Sequence, residues 1–184
     1  MFQNLLKKIG RTLDREHIPY MVIGGQAVLL YGEPRLTKDI DVTLGVDVDE
    51  LQKVKDISNS IKLKILVKKV EEFVKDTKVL PTIDEKSGIR VDFIFSFSPY
   101  EKQAIERANS IEFGKTVVRF ATLEDVVIHK IISGRARDIE DVKSILLKNP
   151  NYDSGYIDRW LKEFDRSLNE NFLKVFKRVV KEIE

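Results

Sequence analysis

Apolar residues recur along this chain at two different spacings, and the changes between them predict its elements. Phe2, Leu6, Ile9 and Leu13 return every three or four positions, which predicts an amphipathic helix ending before Pro19. Tyr20–Ile23 is an unbroken apolar run that stops at Gly24-Gly25, as a buried strand does. Residues 26–31 read as a short apolar helix closed by Gly32, residues 32–38 as a loop, and Asp39–Leu44 as the second strand. A helix carrying Leu51, Val54 and Ile57 is expected next, capped by Asp49 or a neighbour. Another is expected over 66–75, with Val67, Val70, Phe73 and Val74 along one side. Ile89–Phe95 is rich in β-branched and aromatic residues and predicts a strand; Pro99 opens a helix to about Arg107. Residues 110–113 and Thr116–Phe120 flank Gly114-Lys115 as a hairpin with a two-residue turn.

From Thr122 onward the periodicity is helical throughout. Thr122 caps a helix that runs to Ser133-Gly134, a second covers 137–147, and two more follow the break at 149–152. A strand-rich front and an all-helical back predict an α+β (or α/β) fold with a small mixed sheet and packed helices. The expected division is a core at 1–121 with its N-terminal helix and a helical region at 122–184 packed on it, as a single compact unit. There is no internal repeat or low-complexity tract.

Composition narrows the chemistry. The absence of cysteine excludes disulfides, thiolate metal sites and cysteine nucleophiles. Basic and acidic residues nearly balance, at 32 against 30, so any case for nucleic-acid binding must rest on local clusters. The N-terminus is broken by charge too early for a signal peptide, and no stretch approaches a membrane span, so a soluble cytoplasmic protein is expected.

Thirteen residues separate the Gly24-Gly25 turn from Asp39-Ile40-Asp41. On a strand, residues at i and i+2 share a face, so the Asp39 and Asp41 carboxylates project side by side. Such a pair needs a cation, and Mg²⁺ held by one or two carboxylates plus phosphate oxygens fits it. The glycine turn offers close backbone approach and N–H groups for those phosphates. Asp92, inside the apolar strand Ile89–Phe95, is a third carboxylate. If its strand lies beside Asp39–Leu44, the three converge, and two Mg²⁺ ions are the expected cofactors. The alternatives are solvated edge charges for Asp39 and Asp41, a salt bridge for Asp92 and a plain tight turn for the glycines. A second Asp-x-Asp, Asp47-Val48-Asp49, shows that the motif alone carries little in an acidic chain; its place before a helix suits a turn and cap.

Strand-Gly-Gly followed by Asp-x-Asp on a strand resembles the DNA polymerase β-type nucleotidyltransferase superfamily. The loop from Gly32 through Arg35 and Thr37 to Asp41 resembles the R-x-T-x-D-I-D signature of AbiEii-like, stand-alone members. The run from His129 to Asp141 resembles their downstream motifs, a helix lysine (Lys130) and then R-x-K-D-x-x-D. Gly25 stands where many relatives have serine, and Arg137 stands in place of the usual lysine. The resemblance implies a Mg²⁺-dependent transfer of a nucleoside monophosphate from an NTP such as ATP to an acceptor hydroxyl on a protein, a tRNA or a small molecule, with release of pyrophosphate. It also implies an antitoxin as a candidate partner.

The site residues expected on these grounds are Asp39, Asp41 and Asp92 as metal ligands and catalytic groups. Gly24, Gly25, Arg35, Thr37, Lys130, Arg135 and Arg137 are the nucleotide contacts, with Asp138 and Asp141 in support. Arg35 either meets phosphate or braces the Asp39 loop. Lys130, Arg135 and Arg137 either converge on a polyphosphate or form a solvated helix end. Asp138 reads as a helix cap, and Asp141 as part of that cap or as a group that orients a basic side chain. His17, His129 and the Phe stripe near Trp160 read as structural positions, and the lysine pairs such as Lys7-Lys8 as solvated faces, with contact to an RNA backbone as the alternative. The function from another class is a non-catalytic nucleotide-binding module that keeps the same fold.

Overall fold

A computed structural model describes residues 2–96 and 98–183. The chain divides into two compact units, one of residues 1–26 and 37–120, the other of 27–36 and 121–184.

The first unit is built on a seven-stranded mixed sheet of order β3-β4-β5-β2-β1-β7-β6. Its strands are β1 (Tyr20–Ile23), β2 (Asp39–Leu44), β3 (Lys64–Ile65), β4 (Val79–Asp84), β5 (Ile89–Phe95), β6 (Asn109–Phe113) and β7 (Thr116–Phe120). Four helices accompany them: α1 (Phe2–Arg15), α3 (Leu51–Ser60), α4 (Val70–Thr77) and α5 (Pro99–Arg107). At the centre, β2 runs antiparallel to β1 and parallel to β5. Val22 pairs with Val42, and Val42 with Phe93. Laterally paired residues share a face, so this register gathers Tyr20, Val22, Val42, Leu44, Val91 and Phe93 on one side of the sheet, all of them fully buried. That side carries most of the buried strand residues at the centre of the sheet. The opposite side receives Asp39, Asp41, Arg90 and Asp92, because side chains alternate along each strand.

Helix α2 (Gly24–Tyr31) follows β1 without an intervening loop, starting at Gly24 itself where the expectation placed its first residue at 26. In the second unit, α6 (Leu123–Ser133), α7 (Ala136–Lys148), α8 (Ser154–Leu168) and α9 (Phe172–Ile183) pack through Ile128, Val142, Ile157, Leu161, Phe176 and Val179, all fully buried. The Thr122 hydroxyl accepts from Asp125 N as a cap, and Gly134 ends α6. The segment 32–36 is tied to α7: Glu33 N donates to Ser144 Oγ at 2.7 Å, and Lys148 Nζ donates to the Gly32 carbonyl at 3.2 Å.

Two expectations fail locally. The helix expected over 66–75 is displaced to α4, and a strand that was not expected, β3, lies just before the expected span. The charged run around it has only weak periodicity, and Glu71 and Glu72 set the helix start by favouring its first turn. Strand β4 has no counterpart among the expected elements, because Pro81 sits inside it and lacks the N–H a ladder uses. Its carbonyl still accepts from Leu66 N at 3.0 Å, which ties β4 to the chain just past β3. Asp47, a neighbour of Asp49, caps the 3₁₀ turn at Val48–Glu50, accepting from Val48 N at 2.6 Å, and α3 behind it starts with no side-chain cap. No helix of the described residues is long and apolar enough to cross a membrane.

Phe93 on β5 is a large, fully buried side chain at the centre of the core face. Phe93→Ala is expected to lower the unfolding free energy by about 3–5 kcal/mol, read from urea denaturation at constant m-value.

Candidate active site

The three carboxylates singled out in the sequence share one face of the first unit. Asp41 and Asp92 are direct partners across the parallel β2–β5 ladder, and Asp39 lies two residues before Asp41 beside Arg90. Each is fixed differently. Thr37, itself buried, donates from Oγ1 to Asp39 Oδ1 at 3.0 Å, so the residue preceding the strand by two sets the first carboxylate. Arg90 reaches along its own strand and donates from Nη2 to both oxygens of Asp92 at 3.3 Å. Asp41 is set by the glycine turn. A Cβ built on Gly24 would lie 2.0 Å from Asp41 Oδ2 and 2.9 Å from Cγ, and Gly24 holds φ +65. Any side chain at 24 would therefore be strained in its backbone and would push the carboxylate out of place. Gly25, next in line, is buried in the first turn of α2.

Arg90 is a residue of this carboxylate face that motif reading misses. Its signal was present, since Arg90 and Asp92 alternate with Ile89, Val91 and Phe93 and so must share the polar face.

The donors on this face are oxygens only, which suits Mg²⁺ and not zinc or a soft metal. Among the described residues, no group of three or more His, Cys, Asp or Glu side chains is drawn together as a ready-made metal cage. Mg²⁺ ordinarily needs no such cage: it keeps several waters and takes one or two carboxylates plus substrate phosphates. Asp39 and Asp41 meet that requirement.

The basic residues expected to meet the nucleotide lie in the second unit, and most are engaged with carboxylates there. Lys130 is buried and donates to Asp138, and it stands 3.0 Å from Asp141. Arg35 grips Asp141 with both arms, each at 2.9 Å. Asp138 also accepts from Ser133 at 2.7 Å and from Arg135 at 2.6 Å. The result is a continuous chain, Arg35–Asp141–Lys130–Asp138–Arg135, that locks the segment 32–36, the α6 end and α7 together. Asp138 does not cap α7, since Arg135 holds the N-cap position and no side chain caps it. Asp141 orients basic side chains, one of its two expected roles. Arg137 is exposed and donates to the Leu36 carbonyl at 3.2 Å.

Burial alone would push the Asp138 carboxyl up, but the hydrogen bonds from Lys130, Arg135 and Ser133 outweigh it and hold the group at about 2.

Three solved structures show the same fold. ANT(2″)-Ia in complex with adenylyl-2″-tobramycin is 16% identical, with 91% of this chain and 98% of that chain covered and a TM-score of 0.59. An antigenic nucleotidyltransferase-like protein from Paracoccidioides brasiliensis is 17% identical over 90% of this chain and 87% of that chain, with a TM-score of 0.56. The lincosamide antibiotic adenylyltransferase LnuA, with lincomycin bound, is 18% identical over 72% and 89%, with a TM-score of 0.50. At these identities the likeness is one of fold. No curated protein matches the chain in sequence. The family model described as "Nucleotidyltransferase of unknown function (DUF6036)" matches residues 1–177.

The Asp138 cluster makes a prediction about acid stability. Its folded-state value lies below the unfolded one of about 3.9, so its contribution is complete above about pH 4 and is lost as the pH falls toward 2. Urea midpoints of wild type and Asp138→Asn are expected to differ most at neutral pH and to converge over that window.

Proposed function

Since the chain belongs to this nucleotidyltransferase family, we propose that it moves a nucleoside monophosphate from an NTP to an acceptor hydroxyl and releases pyrophosphate. The observation that carries the proposal is the placement of Asp39, Asp41 and Asp92 on one sheet face, with Gly24 packed against Asp41.

In this reading Asp39 and Asp41 hold Mg²⁺ brought in with the nucleotide, and Asp92 is the ligand of a second ion. Bound there, the metal neutralises charge on the polyphosphate oxygens. Gly24 leaves the space that Asp41 occupies, and the N–H groups at the start of α2 face the phosphates, where a helix start favours negative charge. Thr37 orients Asp39. Asp92 accepts the proton of the acceptor hydroxyl as its oxygen bonds to the α-phosphorus; the bond from that phosphorus to the bridging oxygen breaks, and pyrophosphate leaves with the electron pair. Arg90 must yield Asp92 for this, and two bonds of 3.3 Å are weak enough to exchange.

Arg35 and Lys130 enter the proposal as positioning residues, through the buried chain that fixes segment 32–36. Arg135 belongs to the same chain, and the exposed Arg137 ties α7 to segment 32–36 through the Leu36 carbonyl. The signature running from Arg35 to Asp41 supports an AbiEii-like member acting on an RNA, protein or small-molecule hydroxyl, with an antitoxin as partner.

The test is label transfer from each α-labelled NTP in Mg²⁺ to bulk tRNA or a cell lysate. Wild type is expected to transfer label, and Asp41→Asn to lose at least about 100-fold, as misplacement by about 1 Å alone can cost that much. Gly24→Ala is expected to lose a similar factor and to melt below wild type, because a side chain at this φ is strained and crowds Asp41. Equal transfer by wild type and Asp41→Asn would refute the assignment.

A further inference from the structure

Helix α1 presents two unlike faces. Leu5, Leu6, Ile9 and Leu13 are buried under the sheet, and Gly10 comes so close that an added Cβ would meet the Tyr20 hydroxyl at 2.7 Å. Tyr20 belongs to the core side, so α1 lies on the side of the sheet opposite Asp39, Asp41 and Asp92. Its outer face lines a groove of about 430 Å³ formed by Asn4, Lys7, Lys8, Arg11, Thr12 and Arg15. Four of the six are cations and none is acidic. Asp14 of the same helix is turned toward Arg119, and Arg15 has the carboxylate of Glu16 beside it. Lys8 donates to the Ile61 carbonyl, which fixes its position without neutralising its charge. In a chain whose net charge is only +2, this is a strong local departure.

We propose that this groove binds the phosphodiester backbone of a single RNA strand, at a place separate from the carboxylate face. Lys7 and Arg11, like Arg11 and Arg15, are four residues apart, about 6 Å along the axis, a repeat that successive phosphates of an extended strand can follow. The lining cations all lie along one face of a single helix, a row that one backbone can follow. A membrane surface fits poorly, because no apolar side chain lines the groove to enter a bilayer. The exposed Asn4 amide offers an acceptor and a donor to a ribose 2′-OH, which selects RNA over DNA.

The test is fluorescence anisotropy with a labelled single-stranded RNA 20-mer, without Mg²⁺, at several salt concentrations. With about four phosphates neutralised, the logarithm of the affinity is expected to fall against the logarithm of salt with a slope of about −3. Lys7→Glu/Arg11→Glu is expected to weaken binding at least about tenfold and to flatten the slope by about 1.4. Both side chains lie outside the core, and an unchanged thermal melt confirms the fold. Lys86→Glu/Lys115→Glu, which alters the net charge equally at exposed turns, is expected to bind within about twofold of wild type. Asp41→Asn is expected to bind RNA as wild type does, so the result stands apart from the catalytic reading. Equal binding by the groove variant, or equal loss in the turn variant, would overturn the proposal. So would tighter binding to DNA of the same sequence, or to anionic vesicles in preference to RNA.

Discussion

The site depends on one close approach. Asp41 Oδ2 occupies the space where any side chain at residue 24 would begin. That contact joins the end of β1 to the middle of β2, and it does so where Gly24 has left the strand and started α2. From it follow the orientation of the Asp41 carboxylate, the nearness of a helix start to that carboxylate, and the continuity between β1 and α2. A glycine is required by geometry, and an aspartate across from it is what makes the geometry useful. Register does the rest: Asp41 faces Asp92 across a parallel ladder, and both face away from the core because Val42 and Phe93 face into it.

Charge is handled in two ways in this molecule. In the first unit Asp39 is exposed and accepts from a threonine hydroxyl, and the half-buried Asp92 accepts two long bonds from Arg90. In the second unit the carboxylates Asp138 and Asp141 are buried and tightly matched by Lys130, Arg35, Arg135 and Ser133. Breaking one member of such a buried chain leaves an uncompensated charge, a cost typically of about 3–5 kcal/mol. The loose set is suited to exchanging partners when a ligand arrives, and the tight set to holding a scaffold.

Much of this was legible in local pattern. Tyr20–Ile23 and Asp39–Leu44 stop at a glycine, Ile89–Phe95 starts after one, and Pro99–Arg107 opens on proline, each where the structure bounds it. Motif spacing placed Asp39, Asp41 and Gly24 together because they are linked by short chain segments and a two-residue side-chain period. What local pattern does not carry is pairing across distance. Lys130 reads as a free cation next to a helix break, yet its partners come eight and eleven residues later on the following helix. Arg35 finds Asp141 more than a hundred residues away. Strand β4 escaped because Pro81 sits inside it, although the strand pairs along its whole length with β5.

The central claim is that the carboxylate face directs transfer of a nucleotidyl group, and isotopic position in the nucleotide tests it most directly. The protein, Mg²⁺ and an acceptor pool are incubated in parallel with NTP labelled at the α- or the γ-phosphorus. Label is expected on the acceptor from the α-position only, with the γ-label recovered in pyrophosphate. Label on the acceptor from the γ-position, or from neither, would contradict it.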